Sequence, residues 1–407
     1  MEYNYTILLV LIAIICSIFF SWIYFLIYTI KFLTKVPKLQ PFKTSKNIVF
    51  PKVSVILPAR NEEKYIQKCL KTLIEQDYSN YEIVVINDSS FDRTGELIEN
   101  FSVTNYKVIH VNAEPKPDSW TGKNWACYQG YLKSTGDLFL FTDADTIHSF
   151  YSISLAVTHL LANDLDSLTA IPKILTTDFW TKITLPILWT LSLAKYSALQ
   201  ANNPNSKIGY FFGSFFIITR KTYEAIGTHK AVRKEIVEDG ALGRRVKELG
   251  FKLNVVHGKD HIHAVWARDP SSLWHGLKRL MISIYNREKI NAYLMVIATF
   301  LLLLLPLIVL PFSINMALQQ RHITANMTDL NLILLLLTIT SMLLLIITSI
   351  LELKYSILQN PFYSFCFPLA CSFVFIAFLT SIINSGRKNA INWKDRRYTI
   401  KENENTR

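Results

Sequence analysis

The chain has 407 residues, of which 50% are hydrophobic and 18% charged, and its formal net charge is +12. This composition excludes a disordered or fibrous protein, because such chains lack so large an apolar share. The charged share is also below the roughly 25% that is usual in soluble domains, so the placement of the apolar residues decides the class of protein.

Long apolar stretches at both ends of the chain predict membrane helices. Each exceeds the roughly 20 residues that cross a bilayer, and none contains Lys, Arg, Asp or Glu. We interpret the first as a retained anchor, since it is too long for a signal-peptide core and no small-residue cleavage site follows. Pro306 and Pro311 interrupt the second, so whether all three C-terminal stretches span stays open. The stretches are residues 7–30, 293–318, 330–351 and 362–383.

The positive charge lies beside these stretches. Residues 31–52 contain six lysines and no acidic residue, and residues 385–407 contain seven basic and three acidic residues. Such segments face the anionic side of a membrane, which predicts an integral protein of the cytoplasmic membrane with its middle domain in the cytoplasm. Three further crossings would leave the basic tail outside, so either one stretch is re-entrant or the tail is an exception. A nucleic-acid partner is not expected, because the middle domain carries no basic stripe.

Strand and helix patterns alternate at the start of the middle domain. The run V-S-V-I-L predicts a strand, and apolar residues at helical spacing follow it. This alternation predicts an α/β fold with a mainly parallel sheet, whose ligands bind beyond the carboxyl ends of the strands. The predicted strands are residues 53–57, 81–86, 107–111 and 138–141, and the predicted helices are residues 61–76 and 94–101.

Polar residues follow three of these strands. Each alone is an ordinary turn or cap residue, but all three groups converge on one edge of one sheet. In F-T-D-A-D-T, two neighbouring carboxylates repel each other unless a cation lies between them. Mg²⁺ prefers one or two carboxylates together with substrate phosphates, so this motif predicts a metal site. The alternative interpretation of the motif is an ordinary surface turn. The polar residues are Pro58, Ala59, Asn61 and Glu62 after the first strand, Asp88 after the second, and Asp143 and Asp145 after the fourth.

Two further motifs lie downstream. In W-T-G-K-N-W, Lys123 follows Gly122, so an ammonium group and a backbone N–H can approach a phosphate together. In E-D-G, Glu238 and Asp239 are predicted at the first turn of a helix, where acidic residues also serve as plain caps. The chemical interpretation of E-D-G is a general base that faces the site.

These motifs, in this order, resemble those of family 2 inverting glycosyltransferases with a GT-A fold. V-S-V-I-L-P-A-R-N-E-E resembles the family's opening strand and nucleotide-binding turn, D-A-D its metal-binding D-x-D, and E-D-G its catalytic E-D. W-T-G-K-N-W and W-K-D-R-R-Y resemble a membrane subgroup that includes carotenoid-acid and hopanoid-associated transferases. The resemblance covers about residues 53–280 and implies a GT-A domain at 53–291. The apolar and basic stretches predict an anchor at residues 1–30, a basic linker at 31–52, membrane helices at 292–384 and a basic tail at 385–407.

The resemblance also implies a role for each candidate residue. Asp145 binds Mg²⁺ or Mn²⁺, Asp143 contacts the metal or the ribose, and Asp239, beside Glu238, is the catalytic base. Processive relatives carry the motif [QR]-x-x-R-W near the membrane. Here the corresponding segment is W-H-G-L-K-R-L, in which only Arg279 could match the arginine of the motif, and this argues against a polymer synthase. Arg279 remains a candidate diphosphate contact. The implied donor-binding residues are Pro58, Ala59, Asn61, Glu62, Asp88, Lys123, Asp143 and Arg279.

The resulting prediction is a membrane-bound hexosyltransferase that moves a sugar from a nucleotide-diphospho-sugar, expected to be a UDP-sugar, to a lipid or isoprenoid-type acceptor. Two other enzymatic functions remain as alternatives, a polyprenyl-phosphate sugar synthase and a polysaccharide synthase. The non-enzymatic alternative is a membrane protein that binds nucleotide sugars or lipids without catalysis.

Overall fold

The computed structural model describes residues 2–41, 50–176, 178–195, 197–318, 325–385, 390–393 and 396–399. Its middle domain is built on a seven-stranded sheet with the order β3-β2-β1-β4-β8-β6-β9 and a three-stranded sheet with the order β5-β10-β7. The strands are β1 (Val53–Ala59), β2 (Tyr81–Asn87), β3 (Val108–Asn112), β4 (Leu138–Phe141), β5 (Thr146–His148), β6 (Ser167–Ile171), β7 (Lys173–Ile174), β8 (Phe216–Thr219), β9 (Leu253–His257) and β10 (Ile262–Ala264).

The large sheet is mixed and mainly parallel, as the sequence predicts. The pairs β1–β2, β2–β3, β1–β4 and β6–β9 are parallel, and β8 runs antiparallel between β4 and β6. Six of the seven residues of β1 are buried, because helices and loops cover both faces of a parallel sheet. One apolar cluster lies on each face, with Val55 and Leu140 in one and Ile56 and Phe141 in the other.

The helices of this domain surround the sheet and connect its strands. The helix predicted from residue 61 begins only at Ile66, because Asn61 has a φ of 51° and cannot continue a right-handed helix. Its turn holds the chain at the strand end instead. The domain helices are α2 (Ile66–Ile74), α3 (Thr94–Thr104), α4 (Gly122–Lys133), α5 (Ser152–Ala162), α6 (Phe179–Lys195), α7 (Ala198–Ala201), α8 (Arg220–Ala225), α9 (Thr228–Ala231), α10 (Glu238–Glu248) and α11 (Pro270–Arg287), preceded in the chain by α1 (Glu2–Lys35).

Four helical segments of the described chain are long and apolar enough to cross a membrane, namely Tyr5–Lys35, Lys289–Leu318, Asp329–Ile357 and Pro361–Asn384. Their helices are α1, α12 (Lys289–Thr299), α13 (Leu305–Leu318), α14 (Ala325–Leu351) and α15 (Phe367–Ser385). Short π-helical segments at Phe300–Leu304 and Glu352–Ile357 and a 3₁₀ helix at Pro361–Cys366 interrupt or extend them, and a hairpin of β11 (Ala390–Trp393) and β12 (Arg396–Thr399) follows.

The second segment stays helical through Pro306. Proline has no N–H and leaves the carbonyl four residues earlier without its usual partner, here that of Leu302. The Trp22 indole of α1 donates a hydrogen bond to this carbonyl at 3.2 Å, and the π-helical turn lies just before the proline. A neighbouring helix therefore satisfies the freed backbone group, as expected inside a bilayer.

The domain and the membrane helices are packed together. Leu273 and Leu277 of α11 and Ile183 of α6 lie in one apolar cluster with Phe378 of α15. The last turns of α1 reach the sheet, where the Phe32 carbonyl lies 3.2 Å from Nε2 of His257. The rim of the sheet is thus held close to the membrane helices.

Candidate active site

The carboxyl ends of β1, β2 and β4 lie side by side, so the polar groups that follow them meet on one rim. Ala59 pairs with Asn87, and Ile56 with Phe141, in register. Pro58 and Ala59 are the last residues of β1, and the N–H of Asp88 donates to the Ala59 carbonyl at 2.8 Å. The structure therefore brings the first two predicted groups into direct contact.

A compact double turn forms the floor of this rim. The buried Arg60 guanidinium donates to the carbonyls of Asp88 and Ser89 at 2.6 and 2.8 Å. Asn61 and Ser89 have φ values of 51° and 52°, a conformation that non-glycine residues adopt at a cost and that is concentrated at functional sites. Arg60 also lies under the exposed Phe91 ring, 4.7 Å from its centroid.

Lys123 joins the D-x-D motif to the E-D-G motif. Its ammonium lies 2.7 Å from Asp143 and 2.7 Å from Glu238. Thr121 caps α4, and Lys123 is in that helix's first turn. Burial alone would lower the pKa of Lys123, but Asp143, Glu238 and Asp239 outweigh it and hold the pKa well above its usual value. Lys123 is thus a permanent cation between the two acidic motifs.

Asp239 is fixed by backbone groups at both carboxylate oxygens. The N–H of Gly213 donates to Oδ2 and the N–H of Gly240 to Oδ1, each at 2.7 Å. Burial and the neighbouring Glu238 raise the pKa of Asp239 to about 6, although Lys123 opposes the shift. A carboxylate with a pKa near neutrality is suited to take up and release a proton.

Gly213 lies where these charged groups converge. A Cβ atom at this position would be 2.9 Å from Asp239 Oδ2, 3.1 Å from Lys123 Nζ and 3.3 Å from Asp143 Oδ2. A side chain here would displace at least one of the three. The glycine is therefore required by close approach, since its own φ is not in the left-handed range.

Arg268 is a candidate site residue that the sequence reasoning missed. Its guanidinium lies 2.7 Å from Glu62 and 3.1 Å from Asp145, and 4.5 Å from the centroid of the Tyr65 ring. Arg268 reaches this position because β10 pairs antiparallel with β5, the strand that begins directly after Asp145. No local motif marks the arginine, and only the strand pairing could have revealed it.

The acidic residues fit a hard divalent cation. The donors are carboxylate oxygens, which Mg²⁺ and Mn²⁺ prefer, and the rim carries three more acidic side chains than basic ones. Within the described residues there is no group of three or more His, Cys, Asp or Glu placed to hold a metal, so a cation at D-x-D would need ligands from substrate phosphates or water. The rim residues are Glu62, Asp143, Asp145, Glu238 and Asp239, with Lys123 and Arg268.

The remaining predicted elements lie around this centre. Arg279 is in α11, about 15 Å of helix rise beyond Asp269, and its diphosphate contact stays a prediction.

The tryptophans of W-T-G-K-N-W, Trp120 and Trp125, pack on each other with ring centroids 5.1 Å apart. Asn124, fully buried, donates to the carbonyls of Val232 and Glu235 at 2.8 and 3.0 Å and so ties α4 to the loop that precedes Glu238.

Comparison with known proteins places this domain in a family. Residues 54–238 match the model described as Glycosyl transferase family 2. The probable glycosyltransferase YdaM of Bacillus subtilis is 30% identical over 213 residues, which are 50% of this chain and 48% of that protein. The 4,4'-diaponeurosporenoate glycosyltransferase of Staphylococcus haemolyticus is 26% identical over 255 residues, 58% of this chain and 61% of that protein. The chain thus spans about half the length of the curated relatives it matches.

A solved structure is similar over nearly the whole chain. The mannosyltransferase PcManGT from Pyrobaculum calidifontis, in complex with GDP-Man and Mn²⁺, has a TM-score of 0.53 and 15% identity, and covers 92% of this chain and 99% of its own. This likeness shows the fold. Residues 54–238 are a family 2 glycosyltransferase domain with a GT-A fold, which confirms the predicted family and fold class.

Proposed function

We propose that the chain is a membrane-bound inverting glycosyltransferase, which transfers a sugar from a nucleotide-diphospho-sugar to a membrane lipid. The observation that carries the proposal is the cluster around Gly213, where Asp239, Lys123 and Asp143 approach one point within 3.3 Å. The names of the diaponeurosporenoate relatives and the membrane helices packed against the domain support a lipid acceptor.

The donor nucleotide is proposed to bind on the double turn of Arg60, Asn61 and Asp88. Its diphosphate then faces Lys123 and Arg268, both of which are paired with carboxylates of the rim. Divalent Mg²⁺ or Mn²⁺ at Asp145 and Asp143 would supply further positive charge that stabilises the departing diphosphate. The cationic side chains contribute the same stabilisation from fixed positions, without reorganisation during the reaction.

Asp239 is proposed as the general base. It accepts the proton of an acceptor hydroxyl while that oxygen bonds to the anomeric carbon and the bond from this carbon to the diphosphate breaks. Because the two bonds lie on opposite faces of the sugar, the anomeric configuration inverts. Glu238 keeps Lys123 beside the reacting groups. If the acceptor were a carboxylate, it would already be ionised, and no proton transfer to Asp239 would be needed.

The domain is proposed to lie on the cytoplasmic side of the cell membrane, because residues 31–52, which join the anchor to the domain, carry six lysines and no acidic residue. This side also offers the nucleotide sugars of the cytoplasm. Labelling of intact cells that carry the Lys230→Cys variant tests this placement. The introduced cysteine should react with a reagent that does not cross membranes only after the cells are opened.

Transfer of radiolabel from a panel of nucleotide sugars into the organic-extractable lipids of membranes that contain this chain tests the activity. We expect label in lipid that is lost with EDTA and in Asp145→Ala, and kept in Asp164→Asn, which changes an exposed carboxylate paired with Lys252. Label in a high-molecular-mass polymer would favour a polysaccharide synthase. Binding of nucleotide sugar with no transfer from any donor would favour a non-catalytic role.

A further inference from the structure

Arg268 is fixed at its backbone and partly exposed at its side chain. It directly precedes Asp269, the N-cap of α11. The Arg268 N–H donates to the Ser272 hydroxyl at 2.8 Å, so the capping box of α11 holds the main chain at this point. The side chain is 34% exposed, and exposed side chains change rotamer readily. The guanidinium can therefore move while the backbone stays in place.

One nitrogen of this guanidinium contacts two carboxylates. Nη2 lies 2.7 Å from Oε2 of Glu62 and 3.1 Å from Oδ2 of Asp145. Both carboxylates are more buried than the arginine, with side chains 4% and 18% exposed. Buried carboxylates are paired with a cation or bind a metal, and here Arg268 is the cation that both of them contact.

The Tyr65 ring supports the guanidinium in this position. The ring centroid lies 4.5 Å from Cζ of Arg268, within the range of a cation–π contact. Tyr65 is the N-cap residue of α2 and belongs to the same turn region as Glu62. Because the ring is uncharged, it positions Arg268 without altering the charge of the rim.

The carboxylate of Asp145 is also the group that a divalent cation would use. Carboxylate oxygens are the ligands that Mg²⁺ and Mn²⁺ prefer. A cation bound at Oδ2 of Asp145 would face the guanidinium at close range, and two positive charges so near repel each other. Arg268 and the metal are therefore alternative partners of Asp145.

A diphosphate would offer Arg268 a different partner. Guanidinium groups bind phosphate oxygens through two parallel N–H bonds, and the donor diphosphate is proposed to lie against Lys123 and Arg268. Lys123 contacts Asp143 and Glu238 instead of Asp145. A move of Arg268 to the diphosphate is thus the change that would release the carboxylate of Asp145.

We propose that Arg268 blocks the metal position at Asp145 in the free chain and leaves it when a diphosphate binds. The inference rests on the proposed function and specifies how its site fills. The divalent cation binds weakly to the free chain and tightly beside the donor. Because the diphosphate and the cation relieve the same contact, each strengthens the binding of the other.

Binding of Mn²⁺ to the full chain in detergent, without nucleotide, tests the block. Electron paramagnetic resonance measures the free Mn²⁺. Arg268→Gln removes the guanidinium, whereas Tyr65→Leu removes only the ring beside it and also serves if Arg268→Gln fails to fold. Arg93→Gln is the matched control, because Arg93 is an exposed arginine that is likewise paired with a carboxylate, that of Glu96.

We expect Arg268→Gln to lower the Kd of Mn²⁺ about tenfold, the equivalent of one charge-assisted contact. Tyr65→Leu should lower it about threefold, and Arg93→Gln should change it less than about twofold. Adding Asp145→Asn to Arg268→Gln should abolish the gain, since the gain acts through that carboxylate.

Three results would overturn the block. The first is an equal Kd for Mn²⁺ in the unchanged chain and in Arg268→Gln, or no binding to either. The second is an equal gain in Arg93→Gln, and the third is a gain in Arg268→Gln with none in Tyr65→Leu. The last two would indicate a general effect of charge and not a block at Asp145.

A nucleotide diphosphate tests the exchange. With UDP or GDP at saturation, and after subtraction of the Mn²⁺ bound by nucleotide alone, the unchanged chain and Arg268→Gln should differ less than about threefold in the Kd of Mn²⁺. A difference that stays tenfold with nucleotide bound would overturn the exchange. Failure of both nucleotides to bind would count against the proposed function, while the comparison with Mn²⁺ alone would still decide on the block.

Discussion

The rim and a small cavity beside the membrane helices differ in how their polar groups are paired. At the rim, Lys123 lies 2.7 Å from two carboxylates and both oxygens of Asp239 accept backbone hydrogen bonds. The cavity is lined by Pro172, Ile174, Leu185, Trp189, Ser356 and Ile357, none of them charged, and within the described chain Nε1 of Trp189 has no hydrogen-bond partner. The side chains of the rim are thus held in fixed positions by their partners, which is what stabilisation of developing charge requires.

The largest expected effect comes from the centre of the organised region. Asp239→Asn keeps the shape but removes the proposed base, so transfer to a hydroxyl acceptor should fall about 10²- to 10⁴-fold. Nucleotide binding should change little, because Asp239 contacts the Gly213 and Gly240 backbone and not the donor turn. The turnover rate at saturating donor checks this, and undiminished turnover would exclude Asp239 as the base.

Gly213→Ala should disturb the same centre by crowding. The added methyl lies about 3 Å from three charged atoms, and a displacement of about 1 Å at reacting groups can cost about 10²-fold in rate. Gly276→Ala is the control, since its nearest atoms are 3.6 Å away in ordinary contact. If both variants turned over equally fast, the crowded arrangement at Gly213 would have no role in transfer.

The pH dependence of transfer tests whether the ionised form of Asp239 is required. The pKa of Asp239 is raised to about 6, and only the ionised carboxylate accepts a proton. The rate with a hydroxyl acceptor should therefore be constant above this pH and fall about tenfold per unit below it. A profile of kcat/KM between pH 5 and 8 measures the effect, and a flat profile that still requires Asp239 would contradict the base role.

A smaller effect is expected behind the rim. Asn124→Ala removes two hydrogen bonds to the loop before Glu238 and leaves carbonyls unsatisfied, so the free energy of unfolding should fall by about 1–3 kcal/mol. Thermal unfolding in detergent measures this loss. Asn163→Ala is the control, because the Asn163 amide donates to a carbonyl of its own helix. An equal decrease in the free energy of unfolding of both variants would show that the Asn124 hydrogen bonds do not stabilise the loop before Glu238.

The smallest expected effect on transfer lies inside the membrane region. Trp22→Phe removes the hydrogen bond to the Leu302 carbonyl, and such bonds between membrane helices contribute about 0.6 kcal/mol on average. Because Trp22 is fully buried, the smaller ring also leaves a cavity, so the same unfolding measurement should show a larger decrease than the hydrogen bond alone accounts for, with transfer unchanged. A loss of transfer would mean that the path of the Pro306 helix bears on the site.

The sheet and most of the rim could be predicted from sequence because their signals are local. Buried parallel strands appear as continuous apolar runs, and the residues after Leu57, Ile86 and Phe141 mark the strand ends that meet at one edge. The helix predicted from Asn61 was wrong at its start, because apolar spacing does not report a positive φ.

The rest depends on contacts between distant parts of the chain. Arg268 joins Glu62 and Asp145 only through the pairing of β10 with β5, which no residue pattern encodes. The cavity joins Trp189 of α6 to Ser356 of the π-helical segment after α14, more than 160 residues apart in the sequence. Neither residue belongs to a sequence motif that would predict this contact.

The central claim is that Asp239 drives an inverting transfer onto a lipid. NMR of the lipid product formed from an α-linked nucleotide sugar tests it most directly, with Asp239→Asn measured beside the unchanged chain. We predict a β-linked glycolipid from the unchanged chain and almost none from Asp239→Asn. An α-linked product, or a β-linked product formed equally well by Asp239→Asn, would contradict the account.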